Sequence, residues 1–309
     1  MKKSKATALL DTAIMSFAEE LADLLFESQM LLHTYKTVRR GEIINYDAKT
    51  KAYSHTSIGD WYHGVSAEDI TDTNRSLAII AARHGNKNSI TKWFPRLLNS
   101  QIRWLLVTAF EAYERFLKEL YAVLGYCDKN LWRCSDFGNN YSLKNLSSLS
   151  IADFRSIVRQ SAELKPRKIR TLVAHRFGNI QRAQSKNSIV FADEIITYWE
   201  YISLIELIRH IIVHENSTVS SDDFFRRLQK KWQREVPLSH PLKTLIIHEA
   251  FKYEKPNWNI WLIRDVAFAH PNTDASPMGT LVQRLGTDAC LLYKEVGKHF
   301  GITPYWNRR

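Results

Sequence analysis

The chain reads as an all-α protein, a multi-helix assembly, on three observations. Apolar residues recur at helical spacing through several long segments. Only 11 Gly and 8 Pro punctuate 309 residues, which suits long helices better than a many-stranded sandwich. Apolar residues make up 45% of the chain, enough to build a sizeable core beneath such helices. The length accommodates one large domain or two ordinary ones.

The first helix is expected over residues 5–38, where Leu10, Ile14, Phe17, Leu21, Leu24, Leu25 and Leu31 form the apolar stripe. Arg39, Arg40 and Gly41 follow, as a helix C-terminus favours. Residues 42–88 are less regular, with turn-prone stretches at Asn45-Tyr46-Asp47 and Gly85-Asn86-Lys87-Asn88 and a short strand pair around residues 43–53. Ser66 is placed to cap a further helix start. Residues 90–124 form the longest helical stretch, with Pro95 near its start and Gly125 as terminator. A loop carrying Cys127 and Cys134 follows. Residues 150–175 read as two helices broken at Lys165-Pro166, the first capped by Ser150. Residues 191–214 read as one strong helix. Ser221-Asp222-Asp223 caps a basic helix over 224–235, and Pro237 and Pro241 mark a break. Helices over 242–253, 257–269 and 278–300 complete the chain.

The formal charge is +11, which favours an anionic partner, nucleic acid first and anionic membrane second. Cys127, Cys134 and Cys290 are an odd, sparse set without a CxxC pair. They point to reduced thiols in a cytoplasm and away from a structural zinc site. Asp11, Glu19 and Glu20 interrupt any apolar run after Met1-Lys2-Lys3, excluding a signal peptide and a membrane span there.

The most informative stretch is Ile208-Arg209-His210-Ile211-Ile212-Val213-His214. It sets cationic groups at the end of an otherwise apolar helix, and such groups are rarely buried without a partner or a task. Relative to Glu206, Arg209 lies about 60° to one side, and His210 and His214 about 40° and 80° to the other. All four share one face. Two readings stand side by side. The face is the solvated side of a core helix, with Glu206 pairing Arg209 or His210. Alternatively, it is a site for RNA cleavage. The RNA 2′-hydroxyl can attack its own phosphate. An imidazole can take that proton or protonate the leaving oxygen, and a guanidinium can hold the charge that develops on the phosphate. No metal or other cofactor is needed.

Arg209-His210-Ile211-Ile212-Val213-His214 resembles the Arg-x(4–6)-His motif of HEPN ribonucleases, helical proteins of toxin–antitoxin and antiviral systems. The segment Ala109-Phe110-Glu111-Ala112-Tyr113-Glu114-Arg115-Phe116-Leu117-Lys118-Glu119-Leu120 is similar to an upstream helix of that family, and the resemblance covers residues 100–221. It implies a HEPN-like helical bundle at the centre, with helical N- and C-terminal additions. His214 is then the general acid or base, Arg209 the phosphate stabiliser, and His210 and Glu206 the orienting groups. It also implies a homodimer in which two Arg–His pairs face each other across a two-fold axis, and an antitoxin or regulatory protein as a further partner.

The Arg–His spacing occurs four times. Arg170…His175 lacks the polar second residue. Arg234…His240 contains Pro237 and cannot be one helix. Arg264…His270 has the preferred Asp265 and an apolar run, and is the alternative or second catalytic pair. His210 and His214 also have the i, i+4 spacing that ligates a metal, with Glu206 the nearest third ligand, but Ile211 stands where a zinc protease helix has Glu. The acidic group Asp60, His63, Glu68, Asp69 and Asp72 has no cation-binding spacing. Arg226, Arg227, Lys230, Lys231 and Arg234, with Trp232 between them, form a basic run suited to RNA phosphates, and residues 165–170 form a weaker one.

The expected organisation is thus an N-terminal helical and loop region over 1–90, a bundle over 91–221 and a helical extension over 222–309 packed on the same core. The expected function is metal-independent endoribonuclease action in a cytoplasm, the defence setting being what the resemblance implies. The alternative is a non-catalytic RNA-binding or scaffold protein on the same fold.

Overall fold

A computed structural model describes residues 3–39, 45–47, 52–54, 87–137, 146–178, 180, 189–191, 194–254, 257–263 and 277–308. It divides into two compact units, one of residues 26–102 and a larger one of residues 1–25 with 103–309. The fold is mostly α-helical, as the apolar periodicity predicts.

Helix α1 (Lys3–Arg39) and helix α2 (Lys87–Cys127) both run through the unit boundary. The smaller unit also holds the antiparallel pair β1 (Asn45–Asp47) and β2 (Ala52–Ser54), where a strand pair is expected. The helix start at Ser66 and the acidic group at Asp60, His63, Glu68, Asp69 and Asp72 lie outside the described residues.

The larger unit adds α3 (Ile151–Gln160), α4 (Pro166–Arg176), the hairpin β3 (Ile189–Phe191) and β4 (Glu194–Ile196), and α5 (Tyr198–His214). Then come β5 (Thr218–Val219), α6 (Ser221–Trp232), α7 (His240–Ala250), β6 (Phe251–Glu254), β7 (Asn257–Ile260) and α8 (Pro277–His299). The core forms where Leu106, Leu117 and Tyr121 of α2, Ile205, Ile208 and Ile211 of α5, and Val282, Leu285 and Leu292 of α8 lose their exposure to water. Phe17 of α1 stacks on Phe116 of α2 with ring centroids 5.1 Å apart. The Trp232 indole at the end of α6 donates to the Glu200 carbonyl of α5 at 2.7 Å. The C-terminal helices therefore share the core of α2 and α5.

Several boundaries differ from the sequence expectation for local reasons. Residues 191–214 are not one helix. The Thr197 side chain accepts from the Glu200 amide, and the Glu200 carboxylate accepts from the Thr197 amide, so a capping box starts α5 at Tyr198. The basic helix is capped by Ser220 rather than by Ser221-Asp222-Asp223. Residues 251–254 and 257–260 are strands, not helix. There β7 pairs with both β6 and β5, with Tyr253 facing Trp258 across the ladder at 5.1 Å. Gly125 does not end α2, which runs on to Cys127. A Cβ at Gly125 would lie 2.1 Å from the Trp132 ring. The glycine is there because Trp132 packs against that backbone, its indole donating to the Tyr121 carbonyl at 3.1 Å. The three cysteines are free.

Candidate functional site

Helix α5 is buried along most of its length, and its polar residues Glu206, Arg209, His210 and His214 emerge together toward its C-terminal end. The end is fixed by an unusual turn. Asn216 and Ser217 both take positive φ, 51° and 64°, in the left-handed region that residues other than glycine rarely occupy. The Ser217 amide donates back to the Ile211 carbonyl at 3.1 Å, and its carbonyl accepts from the Ile260 amide of β7 at 3.0 Å. The chain thus leaves His214 directly into the three-stranded sheet, ordered β5-β7-β6, which holds this end of the helix.

His210 and His214 are both exposed, with ring centroids 4.7 Å apart. His210 Nε2 lies 3.7 Å from a Glu215 carboxylate oxygen. That carboxylate also accepts from Arg227 of α6. Arg209 turns toward α2, where its Nη2 lies 3.7 Å from Glu111. Its Nε is buried without a hydrogen-bond partner. Glu114, one turn along α2, titrates above the ordinary 4.5. Burial is the main cause, opposed by Arg209 and Lys118 and reinforced by Glu111 and Glu206. Glu206 does not pair with Arg209 or His210, the partners its helical spacing suggests, but with Lys231 of α6 at 2.6 Å. Arg209 and His214 stand about 140° apart around the helix, so one protomer brings the two histidines together and directs the guanidinium to the acidic side of α2.

Arg264 and His270 lie outside the described residues. In the basic run, Arg226 and Arg227 pair with Asp223, Arg227 also with Glu215, Lys231 with Glu206, and Arg234 with Glu200 at 2.6 Å. Lys230 is exposed and has no acidic partner among the described residues. A phosphate approaching the other four would compete with a carboxylate already in place. Arg234…His240 is not on one helix: α6 ends at Trp232, Gln233 turns left-handed with φ 55°, and α7 begins only at His240. Among the described residues, no group of three or more His, Cys, Asp or Glu is arranged to hold a metal ion.

Sequence reasoning did not find a second charged cluster, built on Arg170, the arginine of the Arg170…His175 spacing that lacks the polar second residue. Arg170 of α4 is 2% exposed and Asp288 of α8 is fully buried. The guanidinium donates to both carboxylate oxygens, Nε at 3.0 Å and Nη2 at 2.7 Å. Tyr113 of α2 donates its hydroxyl to the same carboxylate, and its phenol is pushed well above its ordinary value by burial and by Asp288. The Trp199 ring of α5 lies 4.6 Å from the guanidinium carbon. His175, by contrast, is exposed. The sequence signal was a lone carboxylate, Asp288, at helical spacing on the apolar stripe of Leu281, Leu285 and Leu292. A second such cluster joins Arg176, Asp136 and Tyr121, with the Tyr121 hydroxyl donating to Asp136 at 2.6 Å.

No family model, curated protein or solved structure matches this chain. The resemblance to HEPN ribonucleases therefore rests on the residues that carry it. What fold and site define is a mostly α-helical protein. No helix among its described residues is long and apolar enough to cross a membrane, and it exposes a histidine pair at the end of a buried helix.

Proposed function

We propose that the chain is a metal-independent endoribonuclease whose reacting groups are His210 and His214, with Arg209 supplied across a two-fold axis by a second copy. The observation that carries this reading is the pair of solvent-exposed imidazoles 4.7 Å apart at the end of an apolar helix. Two adjacent imidazoles can divide the proton transfers of 2′-hydroxyl attack, one accepting the nucleophile's proton and the other protonating the leaving oxygen. The Arg209–His214 offset of about 140° keeps both from acting on one phosphate within a single protomer, and an isologous dimer removes that obstacle. A role in toxin or antiviral defence, and restraint by an antitoxin, are carried by the family resemblance alone.

The test is incubation of purified protein with total RNA in EDTA, comparing the unmodified chain with His214→Ala and His270→Ala. Cleavage that His214→Ala abolishes and His270→Ala spares supports the assignment. Cleavage lost only with His270→Ala moves the chemistry to the other pair. Intact RNA with every form rejects the enzyme.

A second reading has its own support. Arg209 is engaged with Glu111 and most of the basic run is paired within the chain, which neutralises the cations expected to meet RNA and suits the scaffold form of the non-catalytic alternative. On that reading His214→Ala leaves both RNA affinity and RNA integrity unchanged.

A further inference from the structure

Between α2, α4 and α5 lies a small cavity of about 10 Å³, whose lining includes Tyr113, Pro166, Arg167, Arg170, Trp199 and Ser203, close to what one water needs. Two features of its wall share one preference. Arg170 is 2% exposed, and its Nη1 is buried with no hydrogen-bond partner. A buried guanidinium N–H without an acceptor is costly, so the atom calls for an oxygen. The pocket also meets the first turn of α4, which begins Pro166-Arg167 and has neither a side-chain cap nor an acidic residue in that turn. Its free amides and the positive end of its dipole favour an anion. The Ser203 hydroxyl donates to the Trp199 carbonyl at 2.9 Å.

The charges leave a surplus of one. Asp288 is matched by Arg170. Glu206, at the rim, is matched by Lys231, and Lys168 by Glu163. Arg167 is exposed, lies 5.6 Å from the Trp199 ring and has no acidic partner among the described residues. The apolar lining from Trp199 and Tyr113 lowers the local dielectric and strengthens whatever charge–charge contact forms there.

We infer that this pocket is an oxyanion site that takes a phosphate group, one oxygen entering the water-sized space against Arg170 Nη1 while Arg167 and the α4 N-terminus hold the others at the mouth. The group comes either from free phosphate or from a nucleotide. This inference does not depend on RNA cleavage at His214, because the site lies on a different part of α5 and its occupancy is read by binding alone.

Calorimetric titration with inorganic phosphate, and separately with a nucleoside 5′-monophosphate, tests it at constant ionic strength in chloride. The expected result is saturable one-site binding that Arg167→Gln weakens about ten-fold, the loss of one charge-assisted contact. Arg167 is exposed, so this variant keeps its fold, which circular dichroism verifies. Tighter binding of the nucleotide assigns the site to nucleotide phosphates, and equal affinity assigns it to free phosphate. Ser203→Val fills the space and is expected to abolish binding. If that variant does not fold, Arg167→Gln decides alone. Absence of saturable heat with both probes, or equal affinity for the unmodified and Arg167→Gln forms, overturns the proposal.

Discussion

Arg170…His175 on α4 and Arg209…His214 on α5 have the same spacing and opposite fates. Arg170 is buried against Asp288, Tyr113 and Trp199. Arg209 is 25% exposed and stands 3.7 Å from a half-exposed Glu111. In both, the histidine faces solvent, because five residues of helix turn it about 140° from the arginine. The motif spacing therefore fixes the relative angle of the two side chains and nothing about their environment. The neighbouring helices decide the rest. α4 meets a lone carboxylate on α8 and becomes a structural joint, whereas α5 meets glutamates on α2 and keeps its cation near water.

The largest expected consequence of that difference is in stability. Asp288→Ala leaves the Arg170 charge buried and unpaired and is expected to cost about 3–5 kcal/mol, read from the urea midpoint at constant m-value. Replacing both partners with apolar residues, Arg170→Met with Asp288→Leu, is expected to recover most of that loss, because no buried charge then remains. A single variant as stable as the unmodified protein would show that the joint is open to water, and the contrast with Arg209 would collapse.

Arg209→Ala is the matching experiment on the exposed side. Its partner is half-exposed and the separation is 3.7 Å, so the expected loss is below about 1 kcal/mol. A loss as large as that of Asp288→Ala would mean that Arg209 is a structural cation like Arg170, which would count against its use in chemistry. A small loss of stability with a large loss of RNA cleavage would favour the catalytic reading.

The sequence made the helices legible where apolar residues recur over many turns, as in α1, α2 and α8, because burial of one face is a property of the pattern itself. It also placed the Ser150 cap and the break at Pro166. It misread residues whose state is set by distant pairing. Asn257–Ile260 becomes a strand through its contacts with Phe251–Glu254 and Thr218–Val219, and Gly125 answers to Trp132 rather than to the end of its own helix. The polar face of α5 was visible in the sequence. Which groups would answer it was not, because Glu111, Glu114 and Lys231 reach it from other helices.

Glu114 offers the finest probe of that answer. Its carboxyl is raised above 4.5, burial outweighing the pull of Arg209 and Lys118. A carboxyl with a raised folded value favours the folded state while protonated, and that contribution is lost as pH rises through the folded value. Glu114→Gln cannot ionise and keeps a neutral group at every pH. The stability of the variant minus that of the unmodified protein is therefore expected to grow as pH rises from the ordinary carboxyl range through the raised folded value and then level off, in thermal melts at matched ionic strength. The size of this effect is the smallest of the three, since Glu114 is only partly buried. The opposite slope would mean that Arg209 holds Glu114 as an anion. The guanidinium would then be committed to an ion pair on α2, as Arg170 is committed on α8, and the exposed motif would differ from the buried one in degree rather than in kind.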